Sequence, residues 1–224
     1  MKNEQLYLKI LGFLLRFTRK RRMRRFERLI RPTDETTVLD VGGTAFNWQF
    51  ISTRPRVVLL NVAPPEAADT ASRQFTFVAG DGRALQYGDG AFDLVYSNSV
   101  IEHLGTFEDQ QRMASEVRRV GRKLWIQTPA RGFPIEPHFL TPLIHWLSRD
   151  TQRKLLRNFS VWGWLRRPSR QEVDAVVDEV RLLTRKEMQR LFPDCRLITE
   201  RFLGIPKAYI AVRDGPITRL PRSP

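Results

Sequence analysis

The residues best placed to do chemistry come early, in the segment TTVLDVGGTAFNW at Thr36–Trp48. A β-branched run, Thr37-Val38-Leu39-Asp40-Val41, stops at Gly42 and Gly43 and then reads as entering a helix. Strand, glycine turn and helix make the element with which open α/β folds cradle a nucleotide-like ligand. Asp40 stands at the strand's carboxyl end, where such sheets bind ligands. The two glycines lack Cβ, so the backbone can turn sharply and approach a ligand closely. Ala45 and Asn47 fall where a full G-x-G-x-x-G would place glycines, so these residues alone also fit a plain strand-to-helix turn.

The elements that must position this turn alternate between strand and helix. Further strands are predicted at Arg56–Asn61, Gln74–Ala79, Ala91–Ser97 and Lys123–Thr128. Helices are predicted at Thr106–Val120, with Asp109 three residues after its cap, and at Thr184–Phe192, where Thr184 and Glu187 make a capping box. Cys195–Phe202 and Lys207–Arg213 close the chain as strands, with Gly204 and Pro206 between them. Apolar strands separated by helices imply a mostly parallel sheet with helices on both faces. The last two strands are joined too closely for a parallel crossover and must pair antiparallel, unlike the dinucleotide-dehydrogenase plan. Residues 129–183 form an insertion over the strands' carboxyl ends, with a helical stretch at Pro142–Phe159, and Trp146, Trp162 and Trp164 read as packing residues.

A chain of 224 residues with 42% hydrophobic composition fits one α/β domain with a substantial core. Cys195 has no partner for a disulfide and reads as a structural thiol, which suits a reducing, cytoplasmic compartment. The net charge of +14 is concentrated: residues 1–31 carry eleven Lys and Arg against two Glu. Leu6, Ile10, Phe13, Leu14 and Phe17 follow helical spacing ahead of the run Arg19-Lys20-Arg21-Arg22-Met23-Arg24-Arg25. The apolar stretch falls short of the roughly 20 residues of a membrane span, and its charge follows the apolar part, opposite to a signal peptide. Three readings of residues 1–31 stay open. They are a basic amphipathic helix on an anionic membrane, as in a peripheral protein of the inner face; a helix packed on the domain's own core with a solvated basic tail; and an RNA-binding arm. The rest of the chain lacks basic patches interleaved with aromatics, which argues against nucleic acid. Residues 32–214 would be the folded domain and 215–224 a flexible tail.

Read in order, Val38-Leu39-Asp40-Val41-Gly42-Gly43, Gly80-Asp81-Gly82 and Phe92-Asp93-Leu94-Val95-Tyr96-Ser97-Asn98-Ser99-Val100-Ile101-Glu102-His103-Leu104 resemble the class I S-adenosylmethionine-dependent methyltransferases, in their small-molecule branch. The resemblance covers roughly residues 36–130, and the closing hairpin agrees with it. It implies a Rossmann-like sheet of seven strands, mostly parallel, with S-adenosylmethionine as cofactor. On the matching positions, the Asp40–Gly43 turn with Gly42 would hold the cofactor's methionine portion. Asp81 would accept from the adenine amino group, bordered by Gly82 and Arg83, and Ser97 and Asn98 would line the floor near the methyl group. Asn61 stands where the family usually has Asp or Glu for the ribose; an amide donates and accepts but lacks the charge-assisted contribution.

The resemblance implies methyl transfer, and a hydroxyl acceptor would benefit from a general base. Of the three histidines, His138 and His103 are the candidate catalytic residues, and His145, in an apolar stretch, reads as structural. Glu136 would orient His138, and Arg131 would bind an anionic group on the substrate. Ser97-Asn98-Ser99-Val100 lacks the Asn/Asp-Pro-Pro-aromatic motif of enzymes that methylate base nitrogens. Neither a zinc-ligand spacing nor a cysteine pair is present, so the sequence supports no metal. The expected reaction is methyl transfer to a hydroxyl or carboxyl of a small or lipid-linked acceptor, saccharides included. The alternatives are an RNA methyltransferase using the basic arm and an inactive methyltransferase-like binding module.

Overall fold

The computed structural model describes residues 18–63 and 74–215. The apolar face predicted at Leu6–Phe17 and the tail from 216 onward lie outside the described residues. A helix over residues 18–30, α1, precedes β1 (Thr37–Val41), β2 (Arg56–Asn61), β3 (Phe75–Ala79) and β4 (Phe92–Asn98). Then come α2 (Phe107–Val120), β5 (Gly121–Pro129), and a short ribbon of β6 (Ile135–Glu136) and β7 (Thr141–Pro142). Helices α3 (Arg149–Phe159), α4 (Val161–Arg166), α5 (Arg170–Glu179) and α6 (Arg185–Leu191) lead to β8 (Arg196–Phe202) and β9 (Ile205–Arg213). The seven-stranded sheet runs β3-β2-β1-β4-β5-β9-β8. The first five strands are parallel, and β9 is antiparallel to both β5 and β8, as the short closing turn requires.

Alternation along the strands sends side chains to two covered faces. On one, Leu39, Val41, Val95, Leu124 and Ile126 meet Met113, Ala114 and Val117 of α2 and Met188 and Leu191 of α6. Both helices start at threonine caps, and α6 has the full capping box of Thr184 and Glu187. On the other face, Val38, Leu94, Tyr96 and Trp125 meet Met23, Phe26 and Ile30 of α1. The Phe26 ring lies edge-on to Trp48 at 5.9 Å and to Tyr96 and Trp125 at 5.4 Å.

Several expectations are corrected here. No α-helix follows the glycine turn; residues after Gly43 make only a 3₁₀ turn at Asn47–Phe50, and Trp48 plugs the core. The sheet face that a longer helix would cover is covered by α1 instead. Residue 31 is therefore no domain boundary, because α1 shares the sheet's core. Arg22, in the middle of the basic run, turns inward: it pairs with Glu200 at 2.6 Å and donates to Asn98 Oδ1 at 2.8 Å and Gln127 Oε1 at 3.0 Å. Among the described residues no helix is long and apolar enough to cross a membrane.

The stretch Pro142–Phe159 is not one helix. Thr141 and Pro142 pair with β6, Leu143 adopts a left-handed backbone, and Ser148 caps α3 by accepting from the Thr151 amide. This insertion has its own small core of Phe139, Ile144, Leu156, Val173 and Val177. Trp162 packs on Phe139 as expected, but Trp146 is half exposed and Trp164 is 69% exposed. Cys195 is buried, and burial pushes its thiol up to about 12, in keeping with a structural role.

Candidate active site

The turn after β1 is built by close contact. Gly42 has φ +70, and a Cβ there would sit 2.5 Å from Val100 Cγ2. A Cβ on Gly43 would sit 1.9 Å from Asp40 Cγ, so the carboxyl group of Asp40 lies directly under the turn. Asp40 is fully buried; its Oδ2 accepts from Trp48 Nε1 at 2.9 Å, and its Oδ1 has no partner. Burial pushes its pKa up to about 8, against the opposing pull of the Trp48 bond. Asn61 at the end of β2 ties itself to the turn, donating from Nδ2 to the Gly43 carbonyl at 3.0 Å.

Two more of the predicted cofactor positions meet at the same strand end. Ser97 is paired with Val41 across β1 and β4, and a Cβ on Gly82 would lie 2.8 Å from Val41 Cγ1. Ser97 is buried and its Oγ donates to the Val41 carbonyl at 3.0 Å, so its hydroxyl is committed to the sheet. Asn98 Oδ1 is likewise engaged by Arg22. In both predicted floor residues these atoms are committed within the protein. Asp81 is partly exposed and gripped by Arg83, 2.7 Å away, and this bond holds its carboxyl below the usual range. Arg83 also reaches Asp109 at 3.4 Å.

At the end of β4 the chain turns through Ser99, at φ 57, whose Oγ donates to Gln127 Oε1 at 3.0 Å. The connector Ile101–Leu104 follows and brings Glu102 and His103 under the insertion. Glu102 is completely buried; one oxygen accepts from Thr128 at 3.0 Å, and the other has no partner. The His103 and His138 rings cross edge to face with centroids 4.7 Å apart, joining two predicted residues that are distant in sequence. His103 Nδ1 lies 2.7 Å from Glu179 Oε1, and His138 Nδ1 lies 2.6 Å from Glu136 Oε1. Carboxylates only accept, so each Nδ1 is the donor, and in the neutral ring Nε2 keeps a lone pair. Burial pulls the His138 pKa down, but the Glu136 bond and the charges of Glu136, Glu102 and Glu179 outweigh it and hold the ring above its usual value.

Glu136 is bonded to His138 through one oxygen, and its second oxygen accepts from the Phe139 amide at 2.8 Å. Arg131 is exposed and borders a cavity of about 210 Å³ together with Glu136, Arg149 and Arg181. His145 Nε2 is bonded to the Arg131 carbonyl at 2.9 Å, away from the other two rings. Two residues that stand in no sequence motif also bind these groups: Gln127, which gathers Arg22 and Ser99, and Glu179, at the end of α5.

Residues 39–124 match the family model of a methyltransferase domain. Over 99 residues, 40% of this chain, the sequence is 32% identical to an uncharacterized methyltransferase of Mycolicibacterium gilvum (strain PYR-GCK), and the match spans 36% of that protein. The chain thus matches about a third of that curated relative's length. Among solved structures, one from Rhodobacter sphaeroides assigned to the Zn-dependent alcohol dehydrogenases superposes with TM-score 0.58 at 15% identity, over 86% of this chain and 87% of that one. The magnesium protoporphyrin IX methyltransferase of Synechocystis PCC 6803, solved with bound S-adenosylhomocysteine, superposes with TM-score 0.51 at 15% identity, over 88% and 83%. These two likenesses concern the fold. Residues 39–124 are thus similar to methyltransferase domains, in keeping with the resemblance of the sequence motifs to the class I S-adenosylmethionine-dependent methyltransferases.

The cofactor of that family is S-adenosylmethionine, and the residues fit it. Gly42 and Gly43 let Val100 and the Asp40 carboxyl group pack against the turn, so that its backbone is what would meet the cofactor, and Asp81 carries a partly exposed carboxylate.

Proposed function

We propose that the protein transfers a methyl group from S-adenosylmethionine to a hydroxyl or carboxyl oxygen of a small or lipid-linked acceptor. The observation that carries this reading is the carboxylate-backed pair His103 and His138, which joins the connector after β4, whose Val100 packs on Gly42, to the β6–β7 ribbon. The cofactor supplies a methyl group already activated by its sulfonium. The protein therefore has to place an acceptor in line with that methyl and manage its proton. Asp40, Gly42, Gly43, Asn61, Asp81, Gly82 and Arg83 would hold the cofactor over the floor of Ser97 and Asn98. His103 and His138 would meet the acceptor oxygen, and Arg131 would steady an anionic part of the acceptor.

The lipid-linked class is supported by the insertion's surface. Trp164 and Phe159 are 69% and 67% exposed, and Arg157, Arg166, Arg167 and Arg170 are exposed around them. Aromatic rings set among arginines, which the sequence was not expected to offer outside residues 1–31, suit the headgroup region of an anionic membrane. On α1, Lys20, Arg21, Arg24 and Arg28 are exposed and would add to that attraction, while Arg22 is already taken.

The test is incubation of the full chain with methyl-labelled S-adenosylmethionine and, separately, a membrane lipid extract, a polar small-molecule extract and total RNA. Label in the lipid or small-molecule arm, as ester or ether, supports the reading. Label confined to RNA, or no transfer alongside measurable S-adenosylhomocysteine binding, overturns it.

A further inference from the structure

Glu102, His103 and His138 place one donor atom each within 4.8 Å of one another. Two imidazoles and a carboxylate are a donor set that divalent first-row ions accept, usually with a coordination position left open. Three details mark this trio as more than a chance cluster. Glu102 is wholly buried, yet one carboxylate oxygen has no hydrogen-bond partner, an arrangement that is costly unless something pairs with it. Each histidine is bonded through Nδ1 to a carboxylate, Glu179 or Glu136. That backing is the one metal-binding histidines commonly have: it fixes the ring, keeps the lone pair on Nε2 and makes it a better donor. Finally, the Thr128 hydroxyl holds the second oxygen of Glu102, orienting the free one.

We propose that Glu102 Oε1 and the Nε2 atoms of His103 and His138 bind one divalent first-row transition-metal ion, such as zinc or manganese. Glu136 and Glu179 are positioning residues that act through the two rings. The role of the ion rests on the oxygen-acceptor reading above; its binding does not. An acceptor hydroxyl on the ion's open side loses its proton to solvent more readily. A lone pair on that oxygen then forms the bond to the methyl carbon as the carbon–sulfur bond of S-adenosylmethionine breaks. The bonding electrons return to sulfur, which becomes the neutral thioether.

The experiment uses the full chain without a polyhistidine tag, stripped with EDTA. Manganese(II) uptake is followed by electron paramagnetic resonance and zinc(II) uptake by calorimetry. The expected result is one ion per chain. His103→Ala and His138→Ala should each weaken uptake at least about tenfold, with a comparable loss for Glu179→Gln through the ring it orients. Glu102→Gln keeps the shape of the buried side chain and should also lose uptake. S-adenosylhomocysteine affinity should stay unchanged in the histidine variants, which shows that they are folded. Failure of the wild type to take up either ion at millimolar concentration overturns the proposal. So does uptake unaltered in the His103→Ala, His138→Ala double variant. Methyl transfer that runs at full rate in EDTA overturns the ion's role while leaving oxygen methylation standing.

Discussion

The two halves of the cleft are built by different means. The cofactor half is mostly backbone: a short strand, two glycines whose Cβ positions are already filled by Val100 and Asp40, and a carbonyl tied down by Asn61. The proposed acceptor half is side chains, drawn from the β4–α2 connector, the β6–β7 ribbon and the end of α5. They touch where Val100 closes over Gly42, two residues before Glu102. A backbone cradle fails when atoms are added, because close-packed neighbours have nowhere to go. A side-chain cluster fails when a charge or donor is removed, because its members hold one another.

Gly43→Ala should give the largest effect. Its Cβ would overlap a carboxyl group that is buried and bonded to Trp48, so neither partner can yield cheaply. We expect a loss of roughly 3 kcal/mol in unfolding free energy, the upper range for overpacking, and at least a tenfold loss of S-adenosylhomocysteine affinity by calorimetry. Unchanged affinity would sink the backbone-cradle view of this half. Glu136→Ala tests the other half by subtraction. It strips the buried Phe139 amide and His138 Nδ1 of their acceptor, a cost of about 1–3 kcal/mol in urea unfolding. Methyl transfer should fall while S-adenosylhomocysteine affinity holds; loss of both would mean that the halves are not separable.

Asp40 gives the comparison a pH dependence. In the unfolded chain its carboxyl ionises at about 3.9, whereas in the fold burial lifts it to about 8. Between those values the folded state keeps a proton that the unfolded state has lost. The contribution of Asp40 to stability therefore declines as pH rises through that window and levels off above it. Asp40→Asn removes the titration, so the urea midpoint of the variant should fall less between pH 5 and pH 8 than that of the wild type. A wild-type midpoint that rises across this range, with the variant following it, would show that Asp40 is ionised in the fold.

The same division explains what the sequence made legible. Strands β1 and β2 match their predicted bounds because β-branched apolar runs bounded by turns carry that signal locally. The threonine caps of α2 and α6 are local too. The histidine pair was anticipated only as two separate candidates, since 35 positions separate the residues and the fold alone joins them. Their convergence with Glu102 was not visible, because no ligand spacing along the chain announces it. In the sequence Arg22 is one cation in a row and nothing distinguishes it from its neighbours. Only the burial of Met23 and Phe26 beside it decides that its guanidinium faces Glu200 and Asn98. The helix expected after Gly43 failed for a related reason. Trp48 goes to fill the sheet face next to α1, a tertiary demand that outweighs the local pattern.

Asn61→Asp makes the smallest change and separates two meanings of an unusual residue. If Asn61 were simply a weaker ribose ligand, the carboxylate of Asp would add a charge-assisted bond and tighten cofactor binding. The structure assigns its amide another duty, because Nδ2 donates to the Gly43 carbonyl. Aspartate has no such donor when ionised and would set a negative charge against that carbonyl oxygen. The turn should loosen by about 0.5–1.5 kcal/mol, the ordinary worth of one hydrogen bond. S-adenosylhomocysteine affinity should therefore drop severalfold in calorimetry, with a small fall in the unfolding midpoint. Tighter binding in the variant would place Asn61 among the ribose contacts and not among the supports of the backbone cradle.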